Sequence, residues 1–105
     1  ADFKQLVPYI KIEVEKALKN GIYKKINFSL TRIFISKTIP QTLILSLDFD
    51  FNKTRYTNTI AIKMGSKFAI VFVFCTPTKI HARFNNQFEL LVKTCTFDRK
   101  YAFIA

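Results

Sequence analysis

The sequence is poor in the residues that interrupt regular secondary structure. Only two Gly and three Pro occur in 105 residues, and Trp is absent. So few Gly and Pro argue against a disordered or loop-rich chain. A chain of this length can bury a proper hydrophobic core without disulfides or metals. We therefore expect a single folded domain over residues 1–105.

Residues that usually perform catalysis or bind metals are equally scarce. The single histidine, His81, has no Asp, Cys or second His near it in the sequence, which a catalytic or metal-binding histidine normally requires. Cys75 and Cys95 fit no metal-ligand or redox spacing, so we expect two buried thiols, or a disulfide if their segments meet. Serine-nucleophile motifs and Gly-rich phosphate loops are missing as well. The sequence thus predicts no catalytic residue, metal site, cofactor or small-molecule substrate, and we expect no enzyme.

One pair of carboxylates is the remaining candidate for chemistry. Asp48 and Asp50 lie two residues apart on one face of a predicted strand, which separates them by about 7 Å. Such a pair can act as acid and base or hold a cation. Both residues flank a hairpin and point away from the Leu- and Phe-rich side of the strand. We therefore interpret them as solubilising charges at a strand end.

Acidic residues are few relative to basic ones. Seventeen Lys and Arg stand against seven Asp and Glu, which gives a net charge of +10. A surface of this charge favours an acidic partner, which could be a protein face, a nucleic acid or anionic lipid head groups. The alternative is compositional, because abundant Lys, Ile, Asn and Phe are also typical of proteins from AT-rich genomes.

The hydrophobic pattern predicts an α+β fold. The apolar spacing predicts helices over 2–20 and 78–94 and strands over 23–38, 42–52, 55–63 and 66–76, followed by a tail over 97–105. Short turns between the strands make the sheet antiparallel, with both helices packed on it. The expected architecture is a four-stranded antiparallel sheet flanked by an N-terminal and a C-terminal helix, in the order αββββα.

The strand over 66–76 is apolar on both faces. Phe68, Ile70, Phe72 and Phe74 alternate with Ala69, Val71, Val73 and Cys75. The run is too short for a membrane span, which needs about 20 residues. Because a strand that is apolar on both faces is usually covered on both, we expect it to lie at the centre of the sheet.

Three local details accompany these elements. In the first helix, Pro8 indicates either a start near Val7 or a kink. In the first strand, the change of pattern after Arg32 indicates a bulge or a second buried face. In the last helix, Thr76 or Thr78 is expected to cap the start. Its expected buried stripe is Ile80, Phe84, Phe88, Leu91 and Cys95, widened by Leu90 and Val92.

Residues 65–97 resemble a known fold. A hairpin with Gly65 leads into an aromatic strand and then into residues 84–97, which read Phe-Asn-Asn-Gln-Phe-Glu-Leu-Leu-Val-Lys-Thr-Cys-Thr-Phe. This is similar to the helix of the form Phe-x-x-x-Phe-x-x-(Leu/Val)-(Leu/Val)-x-Ser-Phe in the PsbP-type fold. That fold is shared by PsbP photosystem subunits, bacterial DcrB-like lipoproteins and a nuclear Ran-binding import factor. The chain departs from it by lacking the N-terminal hairpin and by having few glycines.

The resemblance implies a non-catalytic accessory subunit that docks onto a large membrane-associated complex. Its most specific form is a PsbP-like photosystem subunit in the thylakoid lumen, held on acidic protein faces. The chain begins Ala1-Asp2 without a leader of basic and apolar residues, which indicates a processed chain or an excerpt of a longer one. A cystatin-like domain is a rival fold, but its Gln-Val-Val-Ala-Gly type of loop is missing.

The expected partner contacts are basic residues in turns and at the chain ends, with two aromatic anchors in the tail. They are Lys24, Lys25, Lys53, Arg55, Lys63, Lys67, Arg99, Lys100, Tyr101 and Phe103. The alternative function is a basic nucleic-acid-binding module of a ribosome-like assembly, with Tyr56, Arg55, Lys63 and Lys67 on the sheet. Against it, the aromatic signature of RNA-recognition sheets is absent, and their βαββαβ order differs from αββββα.

Overall fold

We describe the protein from a computed structural model, in which residues 3–20 and 26–97 are described. The predicted α+β order is confirmed. The elements are α1 (Phe3–Leu18), β1 (Ser29–Ile35), β2 (Thr42–Phe51), β3 (Thr54–Met64), β4 (Ala69–Pro77), α2 (Thr78–His81), a 3-10 turn (Ala82–Phe84) and α3 (Asn85–Thr94). The predicted tail over 97–105 lies outside the described residues except for Phe97.

The four strands form one antiparallel sheet in the order β1-β2-β3-β4. A two-residue turn joins β2 to β3, with Asn52 and Lys53 both in the left-handed region at φ 49° and 64°. This geometry matches the right-handed twist of the flanking strands. The register of β1 shifts between Leu30 and Arg32, which agrees with the bulge among the two predicted alternatives except that the shift precedes Arg32 instead of following it.

One face of the sheet packs against the C-terminal helical segment. Val92 is fully buried and Phe88 nearly so, and both contact the helix-facing side chains of β2, β3 and β4. The core of this face comprises Ile39, Ile44, Ala61, Phe88 and Val92, with Phe34, Phe72 and Phe74 packed against it. Burial of these side chains is the main force that holds the helix on the sheet.

The opposite face is buried only in part. Leu43 and Leu45 of β2 are almost fully buried there, and α1 lies against the neighbouring β1. Across the same face, Val71 and Val73 of β4 are 56% and 60% exposed. The β1–β2 half of this face is therefore covered, and the β4 half is open.

The prediction that residues 66–76 form a central strand covered on both sides is wrong. Among the described strands, β4 pairs with β3 alone and so lies at the edge of the sheet. The predicted alternation is correct, since Phe72 and Phe74 face the helix while Val71 and Val73 point away. The apolar pattern of the sequence predicted which side chains lie on each face of β4, but not whether another element covers that face.

The C-terminal helix also differs from its prediction. The 3-10 turn interrupts it, and the residues that face the sheet are His81, Phe88 and Val92. Three members of the predicted stripe, Phe84, Leu90 and Leu91, are exposed instead.

The structure also bears on the predicted starts of the two helices. Pro77, and not Thr76 or Thr78, occupies the N-cap position of α2, and no side chain caps it. At the other end of the chain, α1 begins at Phe3, so Pro8 lies inside the helix and not in its first turn.

Candidate functional site

The outward-facing side chains of β4 form an exposed apolar strip, which we call the β4 face and define as Val71, Val73 and Cys75. All three are exposed. Val71 and Val73 stand beside Ile62 and Ile60 of β3, which are partly buried on the same face. An apolar edge strand invites pairing with another chain unless the protein protects it.

Basic residues lie at both ends of β4. Lys67 precedes the strand and is exposed. At the other end, a small cavity of about 200 Å³ is lined by Lys53, Thr54, Arg55, Pro77, Thr78 and Lys79. The β2–β3 hairpin brings Lys53 to this end, next to the start of α2. The exposed apolar side chains of β4 thus lie between basic residues at the two ends of the strand.

The predicted docking residues differ in their exposure and in their contacts. Lys53 and Lys67 are exposed near the two ends of β4, as a docking role requires. Arg55 bonds Asp50 Oδ1 through Nη1 at 3.1 Å and lies 3.6 Å from Asp48 Oδ2, so these carboxylates offset much of its charge. Lys24, Lys25, Arg99, Lys100, Tyr101 and Phe103 lie outside the described residues. Lys79, Val71 and Val73 belong to the surface but were missed, because their exposure depends on tertiary packing.

Lys63 was predicted to be a docking residue, but the structure places it in the interior. Its side chain lies on the helix-facing side of β3 and is only 8% exposed. The Nζ donates hydrogen bonds to the carbonyl oxygens of Val92 at 2.9 Å and Cys95 at 2.6 Å. These bonds satisfy carbonyl groups at the C-terminal end of α3, where a cation is favourable. Lys63 therefore supports the fold and is not a surface docking residue.

The carboxylate pair also needs a correction. The Asp48 side chain is only 17% exposed and accepts a hydrogen bond from Thr57 Oγ1 at 2.8 Å. It is thus tied into the sheet and does not act as a solvated charge, whereas Asp50 is exposed as expected. No group of three or more His, Cys, Asp or Glu in the described residues is placed to hold a metal ion.

His81 occupies the most polar part of the helix–sheet interface. Nε2 lies 2.7 Å from Thr59 Oγ1, and Nδ1 lies 2.8 Å from Thr76 Oγ1. The ring stacks on Phe74 with the centroids 4.6 Å apart. The hydroxyl partners come from β3 and β4, so no spacing in the sequence announces them. The one available signal was the pair Thr57 and Thr59 at alternate positions of β3, on the face opposite Ile60 and Ile62.

The hydrogen bonds of His81 continue into neighbouring polar groups. Thr76 Oγ1 lies 3.1 Å from the Pro77 carbonyl oxygen as well as 2.8 Å from Nδ1. On the other side of the ring, Thr59 Oγ1 lies 3.1 Å from Ser46 Oγ. A neutral imidazole donates at one ring nitrogen and accepts at the other, and the hydroxyl groups on both sides can take either role. Every group in this chain has a partner, which a buried polar cluster needs.

Burial and two neighbouring charges change the pKa of His81. Burial lowers the pKa of His81; the negative charge of Asp48 opposes this, and the positive charge of Arg32 adds to it. Arg32 Nε also donates to Ser46 Oγ at 3.2 Å. The imidazole is therefore held neutral in an interface that is closed to substrate, which suits a structural role.

The two cysteines are free thiols. Cys75 is exposed on the β4 face and Cys95 is partly buried after α3, so the expectation of two buried thiols is wrong for Cys75. Although the residue is exposed, partial burial of the sulfur raises the pKa of the Cys75 thiol above its ordinary value. The disulfide alternative is likewise not realised.

Comparisons with known proteins supply no functional label. No protein-family model, curated protein or solved structure matches the chain. Within residues 3–20 and 26–97, none of the helices combines the length and hydropathy of a membrane span.

Proposed function

We propose that this chain is a non-catalytic docking domain that joins a larger assembly through β4. The observation that carries the proposal is the β4 face, with Val71 and Val73 more than half exposed on an edge strand. Proteins usually blunt such edges with charges, Pro or a covering element, and exposed apolar patches mark interaction sites. The occupant is an acidic protein partner that adds a strand to β4.

The choice of partner follows from backbone chemistry and charge. Among the described residues β4 pairs on one side only, with β3, and an edge strand of this kind can accept an added strand through its outer N–H and C=O groups. Lys67 and Lys79 at the two ends attract negative charge. A second copy of the chain would bring a net charge of +10 against +10, which disfavours self-association.

The assembly itself is proposed from the family resemblance. The order of one helix, four antiparallel strands and a helix supports the PsbP-type likeness at the level of architecture. On that basis the partner belongs to a membrane-associated complex, and the most specific version is a PsbP-like accessory subunit in the thylakoid lumen. The absence of catalytic and cofactor roles remains part of this proposal.

The nucleic-acid alternative draws less support from the geometry. Lys63 is buried on the other face, and Tyr56 stacks on Phe49 with the ring centroids 5.5 Å apart. The exposed side chains of β4 are aliphatic apart from the Cys75 thiol, so the strand itself offers no ring on which a base could stack. The net positive charge is what remains in its favour.

The test is a native pull-down from the source cells, with mass spectrometry and an RNase-treated parallel. We expect an acidic protein that is retained by the unchanged chain and lost with Val73→Lys. The matched control is Leu90→Lys on α3, because Leu90 and Val73 are 61% and 60% exposed. The control should retain the partner. Binding should weaken with salt, since charges of the partners attract across the interface.

Three results would contradict the proposal. The first is equal loss of the partner with Leu90→Lys, and the second is binding that survives about 1 M salt unchanged. The third is protection of the outer β4 amides against hydrogen exchange in the free chain, which would mean that the chain covers its own edge. RNA or ribosomal proteins in the eluate, removed by RNase, would favour the nucleic-acid alternative instead.

A further inference from the structure

Lys63 is a buried cation that lacks a counter-ion among the described residues. The ion pairs between described residues join Lys16 to Glu13 and Arg55 to Asp48 and Asp50, and none of them includes Lys63. Carbonyl oxygens accept two of its ammonium protons, which leaves the third. Because buried charges in proteins are normally paired, an anion beside Lys63 would complete this arrangement.

A cavity of about 400 Å³ lies beside Lys63. This volume falls in the range of small-molecule sites, which are mostly apolar with a few polar groups that fix orientation. Pro40, Met64 and Phe97 supply apolar walls, and Lys93 adds a second cation. We call this space the Lys63 cavity and define it by these five residues together with Gln41.

Gln41, which lines this cavity, has two unusual features. Its Oε1 is buried and has no hydrogen-bond partner in the described structure. Its backbone is in the left-handed region at φ 51°, which disfavours a residue with a Cβ. Strained backbone and orphaned acceptors concentrate at functional sites. A donor group on a ligand would satisfy Oε1.

We propose that the Lys63 cavity binds a small apolar monocarboxylate that carries an N–H or O–H donor. The carboxylate accepts a hydrogen bond from Lys63 and attracts Lys93 at the rim. The apolar body packs on Met64 and Phe97, and the donor bonds Gln41 Oε1. The site is separate from the β4 face and does not depend on the docking role of the chain.

The test uses two matched probes on the full chain, N-acetyl-leucine and its uncharged amide, N-acetyl-leucinamide. Both carry an amide donor and an apolar side chain, so they differ only at the carboxylate. In ¹⁵N NMR titrations we expect saturable shifts at Gln41, Met64 and Lys93. The uncharged probe should bind at least about tenfold more weakly, because it cannot form the charge-assisted bond to Lys63.

Variants assign the polar groups. Lys93→Gln should weaken binding of N-acetyl-leucine about two- to fivefold, the effect of an exposed ion pair. The matched control, Lys11→Gln on α1, removes the same charge far from the cavity and should leave affinity unchanged. Lys63→Met should abolish discrimination between the two probes. If the Lys63→Met variant fails to fold because it loses the hydrogen bonds to the Val92 and Cys95 carbonyl oxygens, the comparison of the two probes on the unchanged chain and the Lys93→Gln variant still test the proposed site.

Equal affinity for the two probes would overturn the proposal, as would the absence of saturable shifts at millimolar concentration. Shifts confined to Val71 and Val73, or abolished by Val73→Lys, would place the probe on the β4 face and have the same consequence. Equal weakening by Lys11→Gln and Lys93→Gln would show attraction to net charge alone, and would also exclude a defined site.

Discussion

At the scale of single residues, protonation of His81 changes the role of one ring nitrogen. The neutral ring donates at one nitrogen and accepts at the other, and its neighbours on the two sides are the hydroxyl groups of Thr59 and Thr76. In the protonated ring both nitrogens donate, so both hydroxyl groups must accept from the ring and direct their own protons elsewhere. Burial of the ring disfavours the charged form and is the main cause of the lowered pKa of His81.

The first prediction concerns pH. Because the pKa of His81 is lowered in the folded state, the unfolded chain binds the proton more readily. The stabilising effect is complete above the unfolded pKa of about 6.5 and declines as the pH falls below it. Urea unfolding should show a lower free energy of unfolding at mildly acidic than at mildly alkaline pH, and His81→Gln should remove this component. An unchanged pH slope in His81→Gln would contradict the assignment.

The second prediction concerns the strained turn at Gln41. Gln41→Gly removes a left-handed residue with a Cβ, which costs about 1–2 kcal/mol, and a buried unpaired acceptor. The flexibility of Gly in the unfolded chain offsets about 0.5–1 kcal/mol. We expect thermal unfolding to show a net stabilisation of about 1 kcal/mol. The matched control, Asn52→Gly at φ 49°, should change little because Asn tolerates this region. Destabilisation by Gln41→Gly would refute the account.

At the scale of elements, the 3-10 turn determines which side of the C-terminal helix is buried. Each residue of a 3-10 helix advances about 120° around the axis, compared with about 100° in an α-helix. Three such residues, Ala82–Phe84, therefore rotate the following helix by about 60° relative to a continuous α-helix. This offset accompanies the inward positions of His81, Phe88 and Val92 and the outward position of Leu91.

The third prediction compares two residues of α3. Phe88 is buried and stacks on Phe74, with the ring centroids 5.3 Å apart, whereas Leu91 is 57% exposed. Phe88→Ala should lower the free energy of unfolding by about 3–5 kcal/mol because it leaves a cavity. Leu91→Ala should stay within about 0.5 kcal/mol, as exposed substitutions do. Denaturant unfolding measures the free energy of unfolding of both variants. Similar losses in the two variants would indicate that Phe88 and Leu91 both lie on the buried side of the helix, as the sequence predicted.

The same elements show how far sequence reasoning reaches. Period-two alternation assigned the faces of β2 and β4 correctly, because alternation is a local property of the strand. It did not place β4 at the edge, since nothing local distinguishes an uncovered apolar face from a covered one. The partners of Lys63 and His81 were hidden for a related reason. Lys63 meets carbonyls about thirty residues away, and His81 meets a hydroxyl 22 residues away. Within the candidate site, Lys53 and Lys67 were predicted, while Val71 and Val73 were assigned to the core.

At the scale of the whole molecule, charge and apolar exposure act against each other. The β4 face favours association through buried apolar area, at about 25 cal/mol per Å². The net charge of +10 opposes contact between two copies and favours contact with an acidic surface. In the proposed docking role, charge selects among the chains that could pair with the edge. This division of roles would let an apolar edge strand persist without pairing between copies of the chain.

The fourth prediction tests that division directly. Sedimentation analysis at low ionic strength should give a monomer, because repulsion between copies extends over tens of ångströms there. At about 1 M salt the screening length falls to about 3 Å, and the exposed Val71 and Val73 should then drive weak self-association. Val73→Lys should remain monomeric under both conditions, while Leu90→Lys adds the same charge elsewhere and should still associate. A dimer of equal strength at low and high salt would show that charge does not protect the edge, and would make a second copy the natural occupant of β4.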